Sequence, residues 1–81
     1  MKASEKLLNL EHHKLEVWRT SKTDVCVSYG RCEIKDGVVL CSVFGEGSTF
    51  EEACEDYLRQ ISGKTLVFNA CTNMRKEVIV L

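Results

Sequence analysis

The chain has 81 residues and a formal net charge of −1, with 44% hydrophobic and 28% charged residues. This length suits one domain, and the composition is that of an ordinary folded protein, which excludes a disordered chain. A general nucleic-acid binder usually carries a clear basic excess, which is missing here. No apolar run reaches the roughly 20 residues that a membrane-spanning helix needs, so we expect no membrane association.

Five cysteines are present, and they are Cys26, Cys32, Cys41, Cys54 and Cys71. Their number is odd, and their spacing matches no disulfide framework or zinc motif. The N-terminal segment, residues 1–14, is charged throughout and lacks the apolar centre of a secretory signal. We therefore predict a cytoplasmic protein whose cysteines are reduced and act mainly as small core residues.

The first third of the chain has the pattern of a short helix followed by strands. Ser4 is the predicted N-cap of a peripheral helix within residues 1–14. Apolar and polar residues alternate over residues 15–20 and 25–35, which predicts two β-strands. Within the second strand the alternation changes phase at Gly30-Arg31, and this change predicts a β-bulge.

A hairpin turn is predicted at Asp36-Gly37, because this dipeptide between apolar runs favours a type I′ turn. The third strand then runs from Val38 to Phe44. A two-residue loop at Asp36-Gly37 would make Cys32 and Cys41 direct neighbours across the hairpin. We expect two packed thiols there, and a redox-sensing pair is the alternative.

The clearest helix signal follows a predicted break in the chain at residues 45–47. Ser48 and Glu51 form a predicted capping box, and Thr49 with Glu52 offers the same pairing one residue later. The helix should end before Gly63 as its C′ residue. Apolar residues recur between these limits at helical spacing, namely Phe50, Ala53, Cys54, Tyr57, Leu58 and Ile61.

Two further strands are predicted over residues 64–69 and 76–81, both nearly continuous apolar runs. The predicted fold is a single α+β domain over residues 1–81. It consists of a short N-terminal helix, a three-stranded antiparallel meander, one long amphipathic helix and two further strands. The long helix should pack across one face of a four- or five-stranded sheet.

Residues that carry chemistry in enzymes do not converge in this sequence. His12 and His13 are adjacent, no Cys-x-x-C motif occurs, and no Ser–His–Asp arrangement can be recognised. Gly63-Lys64-Thr65 matches the end of a phosphate-binding loop, but here a helix precedes it and a strand follows, the reverse of that motif. We therefore predict no catalytic residue, no metal and no cofactor, and a protein that works by binding.

Aromatic and basic residues cluster on neighbouring predicted strands, at Trp18, Arg19, Tyr29 and Arg31. Trp, Tyr and Arg are enriched at the centres of protein interfaces, so we predict that these four residues bind a protein partner. Because such residues also stack bases, RNA or DNA binding is the alternative. Trp18 and Tyr29 could instead be core residues. Open strand edges could also pair two copies as a homodimer.

The run Gly45-Glu46-Gly47-Ser48-Thr49-Phe50-Glu51-Glu52-Ala53 follows strands and opens an amphipathic helix. It resembles the central segment of HicB-like antitoxins, in which strands lead into a helix that starts G-x-T-x-E-E-A. This resemblance covers Asp36 to Ile61. The segment from Ile61 to Asn69 is similar to small accessory proteins of phages and prophages in Gram-positive bacteria. Both resemblances imply a small regulator that binds a macromolecule.

Overall fold

The computed structural model describes residues 2–10 and 15–80 of the chain. Within these ranges the elements in chain order are α1 (Ala3–Leu10), β1 (Leu15–Arg19), β2 (Val25–Tyr29), β3 (Cys32–Asp36), β4 (Val39–Cys41), β5 (Gly45–Gly47), α2 (Phe50–Ile61), β6 (Thr65–Phe68) and β7 (Lys76–Ile79). His12 and His13 lie outside the described residues, as does Leu81 at the end of the predicted last strand. None of the helices described is long and apolar enough to cross a membrane.

The seven described strands form two antiparallel sheets. The first sheet has the order β1-β2-β5, and the second has the order β4-β3-β6-β7. α2 lies against the first sheet and α1 packs against α2, so the predicted α+β class and the packing of a helix on a sheet are confirmed. The expectation of a single sheet of four or five strands was wrong, because the chain leaves the first sheet after β2.

The change of sheet occurs at Gly30-Arg31, where a β-bulge was predicted. β2 ends at Tyr29 and β3 begins at Cys32, so the two intervening residues form a full turn rather than a bulge. Arg31 has a φ of 54°, a left-handed conformation that side chains rarely adopt. The phase change in the sequence therefore marked the right place, but it separates two strands of different sheets.

The hairpin between β3 and β4 turns one residue later than predicted. The pairs are Ile34 with Cys41, Lys35 with Leu40 and Asp36 with Val39. The loop is therefore Gly37-Val38, with a φ of 63° at Gly37. A positive φ at the first loop residue alone is the pattern of a type II′ turn, which needs glycine only at that place. The predicted register with Cys32 opposite Cys41 was wrong, because Cys41 pairs with Ile34. The two thiols are therefore not direct cross-strand neighbours, as a redox pair was expected to be.

The predicted third strand, Val38 to Phe44, is two strands that belong to different sheets. β4 ends in the second sheet, and β5 then pairs with β2 in the first sheet, where a simple break in the chain was expected. α2 crosses directly over β5: a Cβ atom on Gly45 would lie 2.2 Å from the carbonyl oxygen of Ala53, and one on Gly47 would lie 2.6 Å from the Cβ of Glu52. Both glycines therefore allow the helix to approach the strand closely.

α2 begins with the second of the two predicted capping pairs. The side chain of Thr49 accepts a hydrogen bond from the backbone N–H of Glu52 at 3.1 Å. The Glu52 carboxylate reaches back and accepts one from the backbone N–H of Ser48. At the other end Gly63 has a φ of 76°, which confirms its predicted role as the C′ residue.

Ser4 was predicted to cap α1, but it lies inside the helix and is buried. Its backbone N–H and its hydroxyl both donate to the carboxylate of Glu51 in the first turn of α2. The Ser4 hydroxyl holds the pKa of the Glu51 carboxyl below its ordinary value. The prediction was wrong because this partner is distant in sequence, and the contact joins the two helices.

One hydrophobic core lies between the helices and both sheets, and Tyr29 is at its centre. The ring of Tyr29 contacts Tyr57 and Phe68 edge-on, with centroid distances of 5.7 and 5.6 Å. Its hydroxyl donates to the backbone carbonyl of Leu7. Because only 2% of Tyr29 is exposed, it is a core residue, and its predicted contact with a partner was wrong.

Candidate functional site

The cross-strand register sorts the side chains of the first sheet onto two faces. Gly45 and Gly47 pair with Val27 and Val25, and α2 lies over these glycines, so this is the inner face. Neighbouring residues along a strand point to opposite faces, and paired residues point to the same face. The other face, here called the outer face, therefore carries Glu16, Trp18, Cys26, Ser28 and Glu46.

An exposed aromatic pair lies on the outer face. Trp18 is 39% exposed and Phe44 is 48% exposed, and their ring centroids are 6.0 Å apart with the planes tilted by 54°. Cys26, directly opposite Trp18 on this face, is nevertheless fully buried. We call Trp18 and Phe44 the aromatic patch.

The four residues predicted to bind a partner do not come together. Trp18 belongs to the aromatic patch, whereas Tyr29 is in the core. Arg19 pairs with Val25 and therefore belongs to the inner-face row, and its guanidinium donates to the backbone carbonyl of Lys22 at 3.4 Å. Arg31 is exposed at the turn between the two sheets.

Phe44 is the functional candidate that the sequence did not reveal. It was placed at the end of a third strand, where nothing connected it to Trp18. Its contact with Trp18 arises because the chain returns to the first sheet at β5. The only signal in the sequence was an aromatic residue directly before a short segment bounded by glycines.

The two edges of the first sheet differ in how well they are closed. At the β5 edge, the Asp56 carboxylate accepts from the backbone N–H of Glu46 at 3.0 Å, and the side-chain amide of Gln60 donates to the carbonyl of Phe44 at 2.8 Å. β1 is the opposite edge, and no strand of the described ranges pairs with its free side. Its outward backbone groups are therefore available to an added strand.

The charge of the outer face is negative. Glu16 and Glu46 lie on it, and none of the residues that β1, β2 and β5 contribute to this face is a lysine or an arginine. Arg19, the basic residue closest in sequence to Trp18, belongs to the opposite face. Phosphate groups are repelled by carboxylates, so this distribution disfavours a nucleic-acid backbone lying along the outer face.

A cleft of about 460 Å³ opens where the two sheets diverge, next to the turn at Gly30-Arg31. Its polar lining includes Glu16, Ser28, Arg31, Glu33, Asn69 and Thr72. Cys32 also lines it, and burial raises the pKa of this thiol to about 11, despite a hydrogen bond with Tyr57 that lowers it. Cys32 is therefore a neutral thiol near neutral pH rather than an activated nucleophile.

Metal ligands do not cluster in the part of the chain that the structure describes, since no group of three or more His, Cys, Asp or Glu side chains converges there.

Comparisons with protein-family models, with curated proteins and with solved structures found no match to this chain. Two features of the molecule itself point to binding, namely the aromatic patch beside an open strand edge and the cleft between the sheets.

Proposed function

We propose that this protein is a small non-catalytic regulator that binds another protein through the outer face of its first sheet. The observation that carries this proposal is the aromatic patch. Two large aromatic side chains, each more than a third exposed, touch one another on a face that α2 does not cover. Aromatic anchors of this kind supply most of the binding energy at many protein interfaces.

The open edge of β1 favours a partner that binds as an extended segment. A strand added there would form backbone hydrogen bonds with β1, and its side chains would meet Trp18 on one face and the half-exposed Val17 on the other. Backbone bonds supply affinity in this mode of recognition, whereas the neighbouring side chains supply specificity. Trp18 therefore contributes to the choice of partner as well as to the binding energy.

The distribution of charge favours a protein partner over RNA or DNA. Glu16 and Glu46 lie beside the aromatic patch, whereas a surface that stacks nucleic-acid bases usually carries cations for the phosphates. The resemblance of residues 45–53 to HicB-like antitoxins agrees with a regulatory role.

A pull-down from a lysate of the source cells tests the proposal, using the tagged full chain with and without nuclease. We expect one protein to bind in near-equal amounts and to survive nuclease treatment. Trp18→Ala should weaken its capture by about 30-fold or more, the effect of losing a hot-spot residue.

Val38→Ala is the matched control, because Val38 is a fully exposed apolar residue at the tip of the β3–β4 hairpin, outside the first sheet. This variant should retain the partner. Circular dichroism checks that both variants keep the fold. Capture of nucleic acid alone, or equal capture by Trp18→Ala and the unmodified chain, would refute the proposal.

A further inference from the structure

Among the described residues, only two that are not glycine have a positive φ, and they meet at one place. Arg31 and Asn69 both have a φ of 54°. The backbone N–H of Asn69 donates to the carbonyl of Arg31 at 2.9 Å, so the two turns are joined. Both residues line the 460 Å³ cleft between the sheets. Left-handed backbone that persists in a fold is concentrated at ligand sites.

Arg31 is the more unusual of the two residues. Asparagine adopts the left-handed conformation several times more readily than most side chains, and glycine adopts it without steric cost. Glycine at position 31 would therefore suit the backbone better than arginine does. Within the described residues, the guanidinium of Arg31 forms no ion pair or hydrogen bond that would compensate for this conformation.

The cleft also holds two carboxylates that have no ionic partner among the described residues. Glu16 and Glu33 line it together with Arg31, and neither forms an ion pair within the described ranges. A guanidinium binds a carboxylate through two parallel hydrogen bonds, whereas carboxylates bind an ammonium group. The cleft therefore offers complementary groups to a ligand that carries both signs of charge.

Size and apolar lining narrow the ligand class further. A volume of about 460 Å³ lies in the range of small-molecule sites. Val43 and Ala70 contribute apolar surface to the same cleft. We propose that the cleft binds a small zwitterion of the amino-acid or dipeptide class. Its carboxylate is bound by Arg31 and its ammonium group by Glu16 and Glu33. This site does not depend on the aromatic patch.

NMR titration of the ¹⁵N-labelled full chain with glycyl-leucine tests the ligand class. We expect saturable shifts at the amides of Arg31 and Asn69. N-acetyl-glycyl-leucine and glycyl-leucinamide each lack one of the two charges, so each should bind at least about tenfold more weakly, the effect of losing one charged contact. Absence of saturable shifts, a blocked peptide that binds as tightly as glycyl-leucine, or preference for inorganic phosphate would overturn the proposal.

Two glycine variants separate a role in binding from a role in folding. Arg31→Gly relieves the left-handed strain and removes the guanidinium, so it should unfold at the same or a higher temperature and lose at least about tenfold in glycyl-leucine affinity. Asn69→Gly relieves the same strain in the same cleft but keeps the guanidinium of Arg31, so it should lose clearly less affinity than Arg31→Gly. Full affinity in Arg31→Gly, or a clear loss of its thermal stability, would show that Arg31 does not serve a ligand.

Discussion

The close contact of α2 with β5 predicts that alanine at Gly45 strongly destabilises the fold. The added Cβ would lie 2.2 Å from the carbonyl oxygen of Ala53, 2.5 Å from the Cβ of Tyr57 and 2.6 Å from its backbone nitrogen. Ordinary van der Waals contact begins at 3.4 Å, so the nearest overlap is 3.4 − 2.2 = 1.2 Å. Two of the three atoms belong to the helix backbone, which has no rotamer that moves them away.

Relief of this overlap requires α2 to move away from the sheet. That movement would also shift Ala53 and Tyr57, both of which are buried in the core. Overpacking a core costs about 1–3 kcal/mol, and backbone on both sides of the contact points to the upper end, about 3 kcal/mol. In a domain of this size each kcal/mol lowers the melting temperature by about 4–8 °C, so we expect a fall of about 12–24 °C.

Thermal unfolding followed by far-ultraviolet circular dichroism measures this effect, and Gly37→Ala is the matched control. Gly37 has no atom within 4 Å of its Cβ position, so alanine there meets only the cost of its positive φ, about 1–2 kcal/mol. Gly45→Ala should therefore melt well below Gly37→Ala. If the two variants melted together, the helix would not lie against β5 as described.

Three further variants or reactions test other parts of the fold. Ser4→Ala removes the hydroxyl that depresses the pKa of Glu51. A carboxyl with a depressed pKa stabilises the fold above its unfolded pKa of about 4.3, and this stabilisation is lost as pH falls through the folded pKa. The advantage of the unmodified chain over Ser4→Ala in urea unfolding should therefore shrink below about pH 4. An advantage that stays constant with pH would contradict this. Thr49→Ala should lower the free energy of unfolding in urea by about 1 kcal/mol through loss of the helix cap, and an unchanged midpoint would exclude the cap as a stabilising contact. With a thiol reagent at about pH 8, exposed Cys41 should react more than about tenfold faster than Cys32, because burial raises the pKa of Cys32 to about 11. Ready formation of a disulfide between Cys32 and Cys41 would instead support the register in which these two residues face each other.

The local signals of the sequence predicted the elements well. Helical spacing from Phe50 to Ile61 placed α2, and the polar residues before it and Gly63 after it placed both helix ends. Such signals are reliable because they depend on contacts within one or two helical turns. The phase change at Gly30-Arg31 likewise marked a true interruption, although it could not show that the chain enters another sheet there.

The contacts between distant segments could not be predicted from such local signals. Alternation along β1 and β2 shows only that Trp18 and Tyr29 each belong to one face of a strand. Which face is buried depends on where α2 lies, and the helix lies on the side of Gly45, so Tyr29 enters the core while Trp18 remains exposed. The contact between Ser4 and Glu51 has the same origin, because it joins two helices that are far apart in sequence.

The sequence by itself determined the α+β class, the long helix with its caps and the approximate positions of most strands, since spacing and short-range hydrogen bonding specify these. Only the tertiary structure decided the division into two sheets, the register of the β3–β4 hairpin and the pairing of Phe44 with Trp18. It also placed Arg31 beside Asn69 in one cleft. These features depend on packing between segments distant in sequence, where the position of one element sets the exposure of another.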